Sequence, residues 1–241
     1  MNTDSGSDIR VLKCSVAYNK YGGYCVPTSS QHRPAAQAIL AGGVWEPDTI
    51  EFMVKHVGDG DIVHAGTYFG DFVPALSRAC VTSAKVWAFE PNPENYRCAL
   101  ITNDINGLEN VEIRNVGLGS RSAVQSMRIA DDSGRALGGG SRLVPNTQKD
   151  DGKIFRDVDV VALDGQISPK AKVTVIQFDL EGFEKSALIG AMGIIRRRRP
   201  ILILETLPDD AWLAENLFSL GYEVSGKLHA NSVLVTEQAS K

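Results

Sequence analysis

The stretch Asp61 to Pro91, DIVHAGTYFGDFVPALSRACVTSAKVWAFEP, constrains this chain more than any other. Ile62 and Val63 open a short apolar run, and Gly66 and Gly70 bracket a tight turn. Phe72, Val73, Leu76 and Cys80 then recur at helical spacing, and a second apolar run from Val86 to Phe89 ends on Glu90 and Pro91. Strand, glycine turn, helix, strand and terminal acid is the layout of a βαβ unit that binds a nucleoside. Glycine lets backbone N–H groups come close to a ligand that any Cβ would strike. A carboxylate about 20 residues past the turn stands where it can accept from both ribose hydroxyls.

The turn narrows the choice of ligand. A dinucleotide fingerprint needs G-x-G-x-x-G, and this turn offers Gly66-x-x-x-Gly70; nor is there a phosphate-cradling G-x-x-x-x-G-K-[ST] loop. The Ala65 to Asp71 loop is neutral to acidic and suits a ligand without phosphates. S-adenosylmethionine meets these conditions, having a ribose diol, a cationic sulfonium and no pyrophosphate.

The rest of the chain reads as one α/β domain with a front extension: 1–57 as an irregular segment with a helical cap, and 58–241 as the ligand-binding domain. Residues 1–10 are polar and expected to be disordered, and Val11 to Pro27 is expected to be irregular. Helices are expected from Pro34 and from Pro47 to Val57, each with proline at its first position. A helix from Pro93, with Tyr96, Leu100 and Ile101 inward, should stop at Asn106-Gly107. Strands are expected at Val111 to Val116 and Val124 to Ile129, and an edge strand at Arg156 to Leu163. Asp131 to Gly152, with its run Gly138 to Gly140, reads as a mobile lid or an exposed loop. Val173 to Phe178 and Ile201 to Leu204 are apolar on both faces, as buried parallel strands are. A helix with Ala187, Leu188 and Ile189 inward lies between them. A helix from Asp209 to Leu220 and an antiparallel pair joined by the loop holding His229 complete the chain.

In open α/β sheets ligands sit beyond the carboxyl ends of strands. Glu90, Asp179 with Glu181, and Glu205 all fall at such ends. Helix capping alone would explain Asp179, since Asp is a favoured cap, but Glu is not.

Several segments in order, HAGTYFGDF, AFEPNPENY, NVEIRNVGLG, FDLEGFEKSALIGA and PILILE, resemble the FkbM family of S-adenosylmethionine-dependent methyltransferases between Asp61 and Glu205. The resemblance implies a class I, Rossmann-like methyltransferase: a mostly parallel seven-stranded sheet with helices on both faces, here with a small N-terminal helical cap. It also implies O-methylation of a sugar, glycan or polyketide-like natural product, with S-adenosylhomocysteine as product. On the turn, His64, Ala65, Gly66, Thr67, Tyr68, Gly70 and Asp71 would lie along the methionine end. Glu90 and Pro91 would meet the ribose, and Asn115, Val116 and Gly117 the adenine, while Asp179 and Glu181 would flank the transferred methyl. The family usually has Asp where this chain has His64, so Asp61 or Asp71 is expected to take over its contact to the methionine amino group. Tyr21, Tyr24 and Arg33, outside the shared core, are expected to shape the acceptor pocket.

Candidate bases are Asp179, Glu181, Glu205 and His229, the last needing least tuning near neutrality. The three carboxylates could instead hold Mg²⁺ with waters, but the metal-free mechanism is preferred. Two rival readings are an NAD-dependent reductase, which lacks its third glycine and a Y-x-x-x-K pair, and a non-catalytic module on the same fold. A net charge of −4 argues against a nucleic-acid binder. The run Arg196 to Arg199 reads as a solvated helix end. Cys14, Cys25, Cys80 and Cys98 show no metal or redox spacing. With no signal peptide and no membrane-length apolar run, the expected location is the cytoplasm.

Overall fold

A computed structural model describes residues 11–145, 148 and 150–237; the expectation for residues 1–10 lies outside them. In chain order the elements are β1 (Cys14–Asn19), β2 (Gly22–Pro27), α1 (Pro34–Leu40), α2 (Pro47–His56), β3 (Asp61–Ala65), α3 (Val73–Ala79), β4 (Val86–Phe89), α4 (Pro93–Ile105), β5 (Val111–Arg114), β6 (Gly117–Leu118) and β7 (Ala123–Arg128). There follow β8 (Arg142–Val144), β9 (Phe155–Val161), β10 (Val173–Phe178), α5 (Glu184–Arg198), β11 (Ile201–Leu204), α6 (Asp210–Asn216), β12 (Tyr222–Leu228) and β13 (Asn231–Thr236).

The main sheet has seven strands in the order β12-β13-β11-β10-β3-β4-β5. All neighbours from β5 to β11 pair in parallel, and β13 runs antiparallel to both β11 and β12. The central strands are apolar throughout because both faces are covered. Val63, Ala65, Ile176, Phe178, Leu202 and Leu204 pack with Ala187, Leu188 and Ile194 of α5 on one side. Their alternates Ile62, Val175, Ile201 and Ile203 pack with Ile50 and Met53 of α2 and Leu76 of α3 on the other. Order reverses between β3 and β10, and a cleft at that switch point is where such sheets bind ligands.

Several local expectations are corrected. The segment expected to be irregular is a hairpin, with Ala17 opposite Tyr24 and Asn19 opposite Gly22. Its turn, Lys20-Tyr21, lacks the usual glycine or Asn-Gly signal; Asn19 Oδ1 accepts from Tyr21 N at 2.8 Å and closes it instead. β2 packs on α4, and Cys25 N–H donates to Thr102 Oγ1 at 2.9 Å. The inward face of α4 is therefore Asn95, Cys98, Ala99 and Thr102, with Leu100 exposed. On α5, Ile189 is also exposed. The strand expected at an edge, β9, instead lies inside a second sheet of order β6-β9-β7-β8. The region expected to be a loop contributes β8 to that sheet, and its Gly138 and Gly140 are buried.

Among the described residues no helix is long and apolar enough to cross a membrane. The four cysteines are unpaired. The arginine run closes α5 with Arg199 in the left-handed region, and Arg198 donates to the carbonyls of Pro169 and Lys170.

Candidate active site

Two adjoining cavities open at the tips of β3, β4, β10 and β11 and share Gly66, Gly139 and Asp179. The larger, about 220 Å³, is bordered by His64, Asp71, Gln177, Glu181 and Glu205, and on its outer side by Arg33, Trp45, Glu46 and His229. The smaller, about 30 Å³, is bordered by Glu90, Pro91, Gly117, Ser141, Leu143 and Phe183. Ser141 and Leu143, from the 138–144 segment, form part of the wall of this second space.

The glycine turn is fixed by close approach. Gly66 has φ +86°, and a Cβ added to it would lie 2.0 Å from the carbonyl oxygen of Asp179. Thr67, fully buried, donates from Oγ1 to His64 O at 3.1 Å and serves the turn itself. Tyr68, at φ 52°, donates its N–H to Glu90 Oε2 at 2.8 Å. Glu90 Oε1 accepts from Asn92 N at 2.8 Å. Glu90 is 4% exposed, and burial pushes its carboxyl up to about 8. The Asn95 side chain also hydrogen-bonds this carboxyl, which borders the smaller cavity. Asn115 Nδ2 donates to the carbonyls of Glu90 and Pro91 at 2.8 and 3.0 Å, fixing the path of this tip. Gly117 borders the smaller cavity, whereas Val116 packs into the core and Ala65 is buried within β3. Gly70, at φ +83°, faces α4 rather than either cavity, an added Cβ lying 3.4 Å from Thr102.

The strand-end acids converge. Ligand oxygens of Asp179, Glu181 and Glu205 all lie within 4.8 Å of one another. None of the three is needed for capping. Glu184 Oε1 ties the start of α5, accepting from Leu180 N at 2.8 Å, and Asp209 caps α6 by accepting from Trp212 N at 3.0 Å. Burial, and then the neighbouring Glu205 carboxylate, hold Asp179 well above the usual carboxylate range. Burial also raises Glu181, whose backbone sits at φ 53°. Glu205 Oε2 is buried without a partner.

His64, 2% exposed, stacks on Phe72 with ring centroids 5.0 Å apart. Its Nδ1 lies 2.6 Å from Gln177 Oε1, an oxygen that can only accept, so Nδ1 carries the proton. Nε2 is then a buried acceptor, and it has no partner. Burial lowers this imidazole to about 4, keeping it neutral. Asp71 is raised to about 7 by burial and by the Glu46 charge. Asp61, the other residue expected to replace the usual turn acid, accepts from Lys85 N at 2.9 Å and Trp87 Nε1 at 2.8 Å and borders neither cavity.

Arg33 borders the larger cavity, but the two tyrosines grouped with it do not. Tyr24 is fully buried edge-on to Phe69, its hydroxyl bonded to Asn19 Oδ1 at 3.1 Å, and Tyr21 packs at the hairpin turn. His229, at φ 53° in the β12–β13 turn, lies with Nε2 3.9 Å from Glu46 Oε1. Sequence reasoning passed over Trp45, Glu46 and Gln177. Gln177 was detectable as the lone amide in a β-branched run. Glu46 had no local signal, because its partner Asn231 lies 185 residues away. Of the five non-glycine residues at positive φ among the described residues, four (Glu46, Tyr68, Glu181 and His229) border the larger cavity, a clustering typical of functional sites.

The strand order, the glycine turn and the acid at the tip of β4 define a Rossmann-like α/β protein of the methyltransferase class. The model of the methyltransferase FkbM domain matches residues 64–224, and the chain belongs to that family of S-adenosylmethionine-dependent methyltransferases. No curated protein matches it. Among solved structures it is similar to methyltransferase FkbM from Methylobacillus flagellatus KT, at 19% identity and TM-score 0.48 over 73% of this chain and 43% of that one. This chain thus spans less than half of that protein's length. It is also similar to a SAM-dependent methyltransferase from Aquifex aeolicus, at 13% identity and TM-score 0.43 over 80% of this chain and 88% of that one.

The residues present suit the family's cofactor chemically. The inner wall of the larger cavity offers acceptors, His64 Nε2 and the Asp71 and Asp179 carboxyls, which suit an ammonium and a sulfonium. Glu90 retains acceptor capacity for a ribose.

Proposed function

We propose that this protein transfers a methyl group from S-adenosylmethionine to a hydroxyl of a sugar, glycan or natural-product acceptor. The observation that carries the reading is the Asp179–Glu205 pair, two strand-end carboxylates released from capping and set beside the Gly66 turn. When bound, the cofactor supplies an electrophilic methyl whose C–S bond breaks as the bond to the acceptor oxygen forms, leaving a neutral thioether. The chain must hold the acceptor oxygen in line with that methyl and remove its proton. Asp179, raised by burial and by Glu205, is a stronger base than an exposed carboxylate, and the proton it takes is shared with Glu205. Glu181 borders the same space, while His229 stands at its outer rim and completes the wall. Positioning supplies several kcal/mol and a general base about 10²–10⁴-fold in rate.

The three carboxylates have the donor chemistry for Mg²⁺. The metal-free form is preferred because the raised Asp179 carboxyl is suited to take a proton, a capacity that coordination to a cation would remove. A cytoplasmic location goes with this reading.

Transfer of labelled methyl from S-adenosylmethionine to a pool of glycans and hydroxylated small molecules tests it. Asp179→Asn should lower kcat about 10²–10⁴-fold and leave S-adenosylhomocysteine affinity within a few-fold. Turnover unchanged in excess chelator is expected; its loss would establish the metal form. Binding of NAD in place of S-adenosylhomocysteine would favour a reductase, and cofactor binding without any transfer would favour an inert module.

A further inference from the structure

The outer wall of the larger cavity is built from residues outside the family-matched segment 64–224: Arg33, Trp45 and Glu46 from the N-terminal cap, and His229 from the β12–β13 turn. Glu46 is its most constrained member. It is 8% exposed, sits at φ 45° immediately before α2, and ties the cap to the last strand. Both of those ties go to one oxygen: Oε2 accepts from Thr49 Oγ1 at 2.9 Å and from Asn231 Nδ2 at 2.8 Å. Among the described residues the other oxygen, Oε1, has the His229 ring at 3.9 Å as its one polar neighbour. Trp45 flanks it, edge-on to His229 at 5.4 Å between centroids.

The rest of the cavity is rich in carboxyl groups and poor in cations. Asp71, Asp179, Glu181 and Glu205 carry carboxyls, and His64 presents a buried Nε2 lone pair with no partner. Arg33 is the one lysine or arginine among the bordering residues. A surface of acceptors with a single guanidinium is completed by a donor-rich cation, and a partly free carboxylate beside an indole is a good seat for an ammonium. In the methyltransferase reading the inner acceptors serve the cofactor's own positive groups, which leaves Glu46 and Trp45 for the acceptor molecule.

Resting on the methyltransferase reading above, we propose that the acceptor is an amine-bearing polyol, an amino sugar in chemical class, whose ammonium is held by Glu46 Oε1 against Trp45. The methylated group remains a hydroxyl. The ammonium is a handle that fixes which hydroxyl faces Asp179.

Calorimetric titration of the protein saturated with S-adenosylhomocysteine tests this with a matched pair, methyl glucosaminide and methyl glucoside, which differ only in an ammonium against a hydroxyl. The aminated sugar should bind at least tenfold tighter. Glu46→Gln keeps an oxygen for Thr49 and Asn231 and turns the cavity-facing oxygen into an amide. It should therefore erase that difference while S-adenosylhomocysteine affinity stays within twofold. Equal binding of the two sugars, no binding of either, or full discrimination in Glu46→Gln would overturn the proposal. A preference abolished by chelator would also overturn it, since the cation would then be a metal. Failure of the unaltered protein to bind S-adenosylhomocysteine would instead remove the methyltransferase reading, and this proposal with it.

Discussion

Gly66 shows how far one residue decides this site. Its positive φ and the 2.0 Å approach to the Asp179 carbonyl mean that any side chain forces β3 and β10 apart at their tips. Gly66→Ala should cost about 2–4 kcal/mol, and a melting point lowered by less than about 3 °C would show that the turn yields instead. Glu90→Ala removes the acceptor for Tyr68 N and Asn92 N together with the ribose contact, and should weaken S-adenosylhomocysteine affinity at least tenfold in a titration. Unaltered affinity would mean that the ribose lies elsewhere. These residues were legible because turn, strand end and acid are neighbours in sequence. Glu46 and His64 Nε2 were not, since each takes its meaning from a residue more than a hundred positions away, Asn231 and Gln177 respectively.

At the scale of elements, apolar runs bounded by glycine and proline gave β4, β10 and β11 to the residue, because a strand buried on both faces leaves no ambiguity of period. The hairpin and β8 were hidden for opposite reasons. The hairpin turn relies on an asparagine side chain rather than a glycine pair, and β8 is a three-residue strand that exists only through β7. The Gly138–Leu143 segment is held on α4 by side chains no pattern announces. Asn95 Nδ2 donates to Gly138 O at 3.2 Å, Asn92 Nδ2 to Ser141 Oγ at 3.1 Å, and Ser141 Oγ to Gly138 O at 2.7 Å. This segment forms one wall of the smaller cavity, and in the proposed reading its opening admits the cofactor. Each tie contributes about 1 kcal/mol, so Asn95→Ala should raise amide exchange across 138–144 several-fold and speed S-adenosylhomocysteine association in stopped flow. Exchange rates matching those of the unaltered protein would show that the segment is held by other means.

Across the whole molecule, the buried ionisable groups set a stability profile with pH. Glu90 is raised to about 8 and Asp71 to about 7, both chiefly by burial, so the folded chain keeps protons that the unfolded chain has released. A carboxyl with a raised folded pKa stabilises fully below its ordinary value, and that contribution is lost as pH rises through the folded one. His64 is lowered to about 4, so its contribution is complete above the ordinary histidine value and is lost as pH falls. Between the ordinary carboxylate range and about pH 6.5 the two effects oppose each other. Above it only the acids titrate, and each retained proton changes stability by about 1.4 kcal/mol per pH unit. Glu90 and Asp71 alone should therefore lower stability by about 2 kcal/mol from pH 6.5 to 8, or roughly 4–8 °C in melting temperature for a chain of this size, with raised Asp179 adding to the fall. The paired substitution Glu90→Gln with Asp71→Asn should reduce that decline and, below pH 6.5, leave the rise set by His64 less opposed. A melting temperature that is level from pH 6.5 to 8 in the unaltered protein would mean that these carboxyls are hydrated, and that the strand tips are more open than the fold described here.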